Sequence, residues 1–275
     1  IADNFYPERA DFTICRNIGT EFADNLTTSY PILARRDLGN ALGSMLRPTS
    51  KDWFKIRTSS NWETLGTDAR AWLERAGSIQ KRAMYNRKAQ FTRATKEADH
   101  DFATFGQAVI QTSLNRNADG MLYRCWHLRD CAWRENEEGM VDTVYRKWKP
   151  TARDLSRLFP GKLHPKVTES LEREPMREID VWHCIVPADL YAEGKPSRTP
   201  FKSYYFDVEN KHTMEEVGLF TMEYTVPRWQ TVSGSQYAYS PSTVAALPDA
   251  RLIQAMTCVL LEAGEKAVNP PMIAI

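Results

Sequence analysis

A long helical pattern near the end of the sequence constrains the fold more than any other feature. The run LPDARLIQAMTCVLLEAGEKAV, residues 247–268, predicts one helix of about 20 residues and about 30 Å. Pro270 and Pro271 follow the run and end the helix. Its apolar stripe consists of Leu252, Met256, Val259, Leu260, Ala263 and Ala267. Two interpretations fit this stripe: a helix packed into the core of one chain, or a ring of such helices, one from each subunit, with the charged face turned to a lumen.

The patterns that precede this helix predict an α+β fold. Helical spacing of apolar residues covers 30–46, 67–97, 100–116, 151–159 and 164–173. Strand patterns cover 53–58, the runs on both sides of the acidic turn at 135–139, and 178–187, 201–208 and 218–227. Helices come first, then antiparallel strands with short helices, then the long helix. That order is typical of α+β proteins and differs from the alternation of βα units.

Two of these elements also predict which face is buried. On the helix at 67–97 the predicted buried stripe is Ala69, Trp72, Leu73, Ala76, Ile79 and Ala83. In the strand at 218–227, Phe220, Met222, Tyr224 and Val226 alternate with Leu219, Thr221, Glu223 and Thr225. Such alternation suits a sheet with one buried face.

The charge balance limits how the chain can meet nucleic acid. Its 275 residues are enough for a large hydrophobic core, and 36 Lys and Arg against 35 Asp and Glu leave a formal net charge of +1. A protein that grips DNA through the phosphates usually has an excess of basic residues. We therefore expect that any contact with DNA leaves the duplex free to move.

No motif predicts a catalytic residue, a cofactor or a metal site. The sequence contains no GxxxxGK[ST] phosphate loop, no GxGxxG turn and no HExxH zinc motif. The histidines are scattered, Cys125 and Cys131 are spaced wrongly for zinc, and Ser235 lies in SGSQY rather than in GxSxG. Packing or a surface position is the expected role of each.

The cysteines and the chain ends give expectations about compartment and length. The five cysteines are odd in number and fit no disulfide framework, so reduced thiols are expected. The sequence has no unbroken run of about 18 apolar residues, so it predicts no transmembrane helix. The first residues lack the features of a signal peptide. The chain does not begin with Met and stops shortly after a helix. We therefore expect it to be a portion of a longer protein.

One loop concentrates side chains that suit a protein interface. Arg228 and Trp229 follow the strand that ends at Pro227, and Tyr237 and Tyr239 come shortly after. Arginine offers bidentate pairing and stacking, and the aromatic rings offer rigid contact area. Either the rings pin this loop to its own core, or the loop belongs to an oligomer interface.

The residues around this loop resemble a motif of the bacteriophage head-to-tail connectors, the portal proteins of short-tailed phages. In that family a strand ending in Pro-Arg-Trp leads through a Gly-Tyr-type loop and a proline to ALPD, which opens a long helix that closes on Pro-Pro. The matching residues here are Pro227, Arg228, Trp229, Tyr237, Pro241, Leu247, Pro248, Asp249, Pro270 and Pro271. Ala238 stands where many relatives have glycine. The segments 42–58 and 138–159 fit as well, so the resemblance covers residues 31–271.

The resemblance implies a non-enzymatic subunit of a dodecameric ring that forms the DNA channel at one vertex of the capsid. It implies a wing region at 1–245, with helices at 30–116 and antiparallel strands and short helices at 117–245. A stem helix and the start of a clip region then occupy 246–275, and the remaining clip and crown portions are absent. The residues expected at the subunit interface are Arg228, Trp229, Tyr237 and Tyr239, and those expected to face the channel are Arg251, Glu262 and Lys266.

The resemblance also implies partners and a location. The partners are further copies of the chain, the major capsid and scaffolding proteins, the terminase motor, tail adaptor proteins and double-stranded DNA that passes non-specifically, with no membrane. The location is the portal vertex of the virion after assembly in the host cytoplasm, with roles in genome packaging, tail attachment and ejection. Two alternatives are another ring-forming neck or tail adaptor protein, and a hydrolase that uses the scattered histidines and acidic residues.

Overall fold

The computed structural model describes residues 1–13, 19–20, 23, 26–48, 51–58, 65–191 and 198–269. The chain forms two compact units. The helical unit contains Ile1–Arg82, Thr92–Ala108 and Pro227–Ile275, and the β unit contains Ala83–Phe91 and Val109–Val226. Pro270 and Pro271, named above, and Cys15, one of the five cysteines, lie outside the described residues.

The helices and strands are short except for four helices. The helices are α1 (Ala2–Phe5), α2 (Tyr30–Leu46), α3 (Thr67–Met84), α4 (Phe91–Phe105), α5 (Ala152–Leu158), α6 (Pro165–Arg173), α7 (Ala188–Tyr191) and α8 (Leu247–Val268). The strands are β1 (Val109–Leu114), β2 (Met121–Trp126), β3 (Cys131–Glu135), β4 (Val141–Trp148), β5 (Val181–Pro187), β6 (Phe201–Asp207), β7 (His212–Leu219), β8 (Tyr224–Thr225), β9 (Gln230–Thr231) and β10 (Ala238–Tyr239). A π-helical turn, Ser242–Ala246, leads directly into α8.

In the helical unit, α2 and α4 approach each other closely. Gly39 of α2 faces His100 of α4, and a Cβ atom at Gly39 would lie 2.3 Å from His100 Nδ1, so a larger residue would push the helices apart. The next residue of α4, Asp101, is 1% exposed and accepts a hydrogen bond from Arg9 Nε at 3.1 Å. This partly buried ion pair ties α4 to the start of the chain.

The β unit contains two antiparallel sheets. One has the strand order β2-β1-β8, and the other is a five-stranded meander in the order β3-β4-β5-β6-β7. The first core cluster joins residues of both sheets: Val109, Trp133, Val144, Ile185 and Tyr224. The second lies between the meander and the helices α5 and α6: Ala152, Leu155, Phe159, Val167, Ile179, Val181 and Met214. The unit therefore covers its main sheet with other parts of the same chain.

Much of the α+β prediction is confirmed. Helices occupy Tyr30–Leu46, Ala152–Leu158, Pro165–Arg173 and Leu247–Val268, and strands occupy Val181–Pro187 and Phe201–Asp207. The hairpin around the acidic turn is present as β3 and β4, which pair from Cys131↔Arg146 to Glu135↔Val141. The run before this turn differs from the prediction, because β2 and β3 belong to different sheets.

Two of the helix predictions are wrong in extent. The helix predicted at 67–97 ends at Met84, because Asn86 is extended and accepts a bond from Lys88 N, and Gln90 is left-handed with φ 57°. The helix predicted at 100–116 is the end of α4 followed by β1. Gly106, with φ 76°, stops α4, and the residues after it alternate between buried and partly exposed, as a strand does.

Two strand predictions and one face prediction are also wrong. Residues 53–58 form no strand. In the region 218–227 only Tyr224–Thr225 forms a new strand, and Phe220 is 70% exposed. The more polar segment His212–Leu219 is β7, although no strand was predicted before residue 218. On α3 only Leu73 of the predicted stripe is buried, and Trp72 is 67% exposed.

Candidate subunit interface and channel helix

The loop before α8 is fastened to the C-terminal end of α4 by two serines. Ser240 Oγ donates to the carbonyl oxygen of Thr104 at 2.7 Å, and Ser242 Oγ donates to that of Ala103 at 3.0 Å. The last carbonyls of a helix have no partner within the helix, so these hydroxyls satisfy acceptors that would otherwise be unpaired. Both serines are buried. The sequence analysis missed them, although SPS before a helix is a pattern of capping residues.

Gly106 allows the loop to approach this helix end. Its φ of 76° favours glycine, and a Cβ atom there would lie 2.4 Å from the carbonyl carbon of Tyr239. The main chain bonds at the same place: Trp229 N donates to Gly106 O at 2.8 Å, and Ala238 N donates to Gln107 Oε1 at 2.9 Å. The first interpretation of the loop, that it is pinned to its own core, is correct for its main chain.

The side chains predicted at the interface are partly exposed on this pinned loop. Trp229 stacks on Phe102 of α4 with ring centroids 5.1 Å apart, yet 37% of it is exposed. Tyr237 and Tyr239 are 44% and 39% exposed, and Arg228 is intermediate in burial. The fold therefore brings all four residues to one rigid loop and leaves aromatic surface uncovered.

The long helix α8 leaves its apolar side chains at the surface. Residues between 37% and 80% exposed are Leu252, Ile253, Met256, Val259, Leu260, Leu261 and Val268. Among the described residues of α8 only Ala250 is buried, and Thr27 Oγ1 donates to the carbonyl oxygen of Gln254 at 3.2 Å near the helix base. The interpretation of α8 as a core helix of one chain is therefore wrong.

The segment Ser242–Val268 is long and apolar enough to cross a membrane. This finding differs from the expectation drawn from the sequence, which counted only unbroken apolar runs. It rests on length and composition alone, and a single helix of this kind is weak evidence for insertion into a membrane. What it establishes is that α8 has far more apolar surface than water-exposed helices usually carry.

The residues predicted to face the channel share one strip of α8. Successive residues of a helix turn by about 100°, so Arg251, Glu262 and Lys266 fall within about 60° of one another. All three are exposed, and Glu265 lies beside them on the same strip. Beyond its first turn, α8 thus has one charged strip, and the rest of its circumference is mainly apolar.

A buried histidine in the β unit gives the nearest approach to a catalytic arrangement. His183 Nε2 lies 2.8 Å from Ser203 Oγ, and its Nδ1 lies 2.6 Å from Tyr224 Oη. Burial lowers the pKa of His183 well below its usual value, and the nearby Arg146 guanidinium lowers it further. A histidine held neutral in this way is a poor acceptor for a serine proton. The pair therefore gives the hydrolase alternative no support.

Sequence reasoning missed His183 as a member of the core. It occupies an inward position of β5, two residues from both Val181 and Ile185, which are fully buried. Strand alternation alone could have identified it. Cys125, Cys131, Cys184 and Cys258 are free thiols, and among the described residues no group of three His, Cys, Asp or Glu is placed to hold a metal ion.

Comparison with known proteins decides the family. The family model of the bacteriophage head to tail connecting proteins matches residues 1–275. The chain belongs to this family. A portal protein of Salmonella phage epsilon15 is 23% identical over 250 residues, which are 88% of this chain and 44% of that protein. The chain thus spans less than half the length of this relative.

The resemblance found in the motifs is therefore confirmed. Membership implies a structural component of the phage particle rather than an enzyme.

Proposed function

We propose that the chain is the wing and stem portion of a portal subunit, which closes with identical copies into a dodecameric ring at one capsid vertex. Residues 1–245 form the wing, and residues 246–275 form the stem helix and the start of the clip region. The ring conducts double-stranded DNA during packaging and ejection. The partners proposed for the whole protein are capsid and scaffolding proteins, the terminase motor and tail adaptor proteins.

The exposed apolar surface of α8 is the observation that carries this proposal. Exposed apolar side chains on a helix are stabilised when other apolar surface covers them, at about 25 cal/mol for each Å² removed from water. A ring of identical subunits provides that cover, because each α8 packs between the same helices of its two neighbours. Small residues such as Ala263, Gly264 and Ala267 allow the helices to come close.

The charged strip of α8 supports a lining role. When the apolar surface faces neighbouring subunits, Arg251, Glu262 and Lys266 are left to face the central channel. The strip carries both signs, and the chain as a whole has a net charge of +1. Few phosphate contacts would form, and those that form would be short-lived, so the duplex can slide.

The aromatic loop supports a second contact between neighbours. A cyclic ring is built from head-to-tail interfaces in which two different patches of each subunit are complementary. Arg228, Trp229, Tyr237 and Tyr239 supply one patch, with residue types enriched in binding hot spots. The bonds to α4 hold this patch rigid before assembly, which reduces the entropy lost on association.

Electron microscopy of variants tests this assignment. Arg228→Ala and Trp229→Ala should keep the folded chain and strongly reduce the yield of closed rings, because each removes a contact of the proposed patch. Trp182→Ala is the matched control, since Trp182 is 41% exposed on β5 and Trp229 is 37% exposed. Circular dichroism checks that each variant is folded. Rings of normal size and yield from both loop variants would refute the assignment.

A further inference from the structure

The β unit contains a cavity of about 740 Å³ that the proposed ring does not explain. Its volume lies within the range of about 300–1,000 Å³ found for ligand sites. Strand alternation builds its walls, because residues two apart on a strand face the same side. The residues that line it in this way are Gln111 and Ser113, Leu122 and Arg124, Arg146 and Trp148, Ser203 and Tyr205, and Glu215, Val217 and Leu219.

A buried arginine lies in the wall of this cavity. Arg146 is only 2% exposed, its Nε donates to Tyr224 Oη at 2.8 Å, and its guanidinium carbon lies 3.8 Å from the centre of the Trp126 ring. Its Nη1 is buried without a hydrogen-bond partner, and among the described residues Arg146 forms no ion pair. The Glu223 carboxylate acts on Arg146 electrostatically without forming an ion pair with it. A buried cation with an unused donor is costly, and an anion bound directly to Nη1 would offset that cost.

The hydrogen bonds around His183 point a second donor toward the cavity. Tyr224 Oη accepts from Arg146 Nε, and in the Nε2–H tautomer of His183 its own hydrogen is donated to Nδ1. The neutral histidine then carries its hydrogen on Nε2 and donates it to Ser203 Oγ. Ser203, which lines the cavity, keeps its hydroxyl hydrogen for a ligand. In that tautomer Ser203 presents a hydrogen-bond donor, which suits a ligand that accepts one.

Three arginines at the edge of the cavity have no hydrogen-bond or ion-pair partner for their side chains among the described residues. Arg116, Arg124 and Arg157 are exposed, and within the described part of the chain none of them forms a hydrogen bond or an ion pair through its side chain. Three arginines without carboxylate partners around one cavity favour an anionic ligand.

The carboxylates of the same walls already have partners. Asp154 accepts from Thr151 Oγ1 at 2.8 Å, Glu215 pairs with Lys162 at 2.7 Å, and Glu223 accepts from Gln111 Nε2 at 3.1 Å. Among the described residues none of these three carboxylates forms an ion pair with a lining arginine, and their charges repel a ligand that carries many negative charges. Four arginines against three carboxylates leave an excess of one positive charge in the lining.

The apolar side chains in the walls indicate what else the anionic ligand must contain besides its negative charge. Leu114, Leu158 and Val217 line the cavity and are 62%, 43% and 44% exposed. A bare inorganic ion would leave these side chains in water. A ligand with one charge and an apolar body would match both the excess charge and the walls.

We propose that this cavity binds one carboxylate with an apolar group beside it, presented as an acidic side chain next to a hydrophobic residue in a peptide segment of a partner protein. Arg146 and Ser203 are buried in its wall and bind the carboxylate, and the exposed arginines orient the segment. Leu114, Leu158 and Val217 contact its apolar side chain. The proposal does not depend on ring formation.

A pair of capped peptides tests the proposed chemistry. Binding of acetyl-Leu-Glu-Phe-amide to the chain is measured by saturation-transfer NMR and compared with acetyl-Leu-Gln-Phe-amide. The glutamine peptide should bind at least about tenfold more weakly, since hydrogen bonds to a charged group contribute about 1.5–3 kcal/mol. Ser203→Ala should weaken the glutamate peptide by about fivefold, the effect of one lost hydrogen bond.

A control on the same helix separates the cavity from general surface charge. Arg157→Ala should weaken the glutamate peptide by about threefold, as expected for a partly exposed ion pair. Arg153→Ala, also exposed on α5 but not part of the lining, should leave binding unchanged. Thermal unfolding checks that each variant is folded.

Several results would overturn the proposal. Equal binding of the two peptides, or binding that none of the cavity variants weakens, would exclude a carboxylate site here. Inorganic phosphate or a short DNA duplex that binds as tightly as the peptide, with the same dependence on Arg157, would show a phosphate site instead. Peptide-sensitive self-association in sedimentation would show that a second copy of the chain occupies the cavity.

Discussion

The β unit and α8 contain the same kinds of apolar side chains and expose them to very different extents. Val109, Val144 and Ile185 of the β unit are fully buried, whereas Val259 and Leu260 of α8 are 64% and 70% exposed. The β unit supplies its own cover from two sheets and two helices, and α8 has no comparable cover within the described chain. Apolar composition thus predicts that a surface will be buried, and it does not predict which molecule will bury it.

The largest effect on stability should come from a substitution that leaves a void in the hydrophobic core of the β unit. Leu155→Ala removes a fully buried side chain between α5 and the meander, and should lower the free energy of unfolding by about 3 kcal/mol. Urea denaturation measures the loss. A cost below 1 kcal/mol would show that this unit does not stabilise itself as described.

A second effect tests the contact at the base of α8. Gly106→Ala places a methyl group 2.4 Å from the Tyr239 carbonyl carbon and imposes a strained positive φ. We expect a loss of about 2 kcal/mol in the free energy of unfolding. Gly139→Ala is the matched control, because Gly139 also has a positive φ of 75° but meets nothing within 4 Å. If both variants lose the same free energy of unfolding, the positive φ alone explains the loss and the contact with Tyr239 contributes nothing.

A third prediction concerns pH and the buried network of the β unit. Burial lowers the pKa of His183 in the folded chain, so below about pH 6.5 the unfolded chain binds a proton that the folded chain does not. Stability should therefore be fully present above pH 6.5 and fall as the pH falls, by up to about 1.4 kcal/mol per pH unit for one proton. Arg146, Tyr205, Tyr224 and Ser203 face the imidazole.

The measurement for this prediction is a series of urea titrations between pH 7.5 and 5. His183→Gln should have a shallower pH dependence than the original chain. Burial also lowers the pKa of His100, and its contribution is the same in both chains and so cancels in this comparison. His212→Gln controls for the loss of a histidine outside the network. An unchanged slope in His183→Gln would contradict the buried neutral state.

The smallest effect on stability is expected on α8. Leu260→Ser changes a side chain that is 70% exposed, so the free energy of unfolding of the single chain should change by less than about 0.5 kcal/mol. The yield of rings should nevertheless fall, because the apolar cover between neighbours is lost. Glu262→Gln, on the charged strip, should not reduce the yield. A large loss of free energy of unfolding in Leu260→Ser would show that this side chain is buried within its own chain, as the core residues of the β unit are.

The sequence predicted elements whose patterns are long or bounded by clear turns. Tyr30–Leu46 and Leu247–Val268 show many turns of helical spacing, and the acidic turn marks the β3–β4 hairpin. It failed where a short apolar run suits either a helix or a strand. Val109–Leu114 is a strand because it pairs with β2 on one side and with β8, far along the chain, on the other. Local periodicity does not contain that second partner.

The candidate site was only partly predictable for a similar reason. The residue types of Arg228, Trp229 and the two tyrosines already suggested an interface, and the structure adds that they lie on one rigid loop. Ser240 and Ser242 were missed because their partners are main-chain carbonyls of α4, more than 100 residues earlier in the chain. The cavity was missed because its arginines come from separate elements, and only the packing of the two sheets and α5 within the β unit brings them together.

The fastening of the loop to α4 has a mechanical consequence. Residues 229–242 are bonded to residues 103–107, and the π-helical turn passes from Ser242 into α8 without a break. The base of α8 is therefore held to α4 by hydrogen bonds and is not attached through an unsupported linker. A pull along α8 is transmitted through these hydrogen bonds to the end of α4.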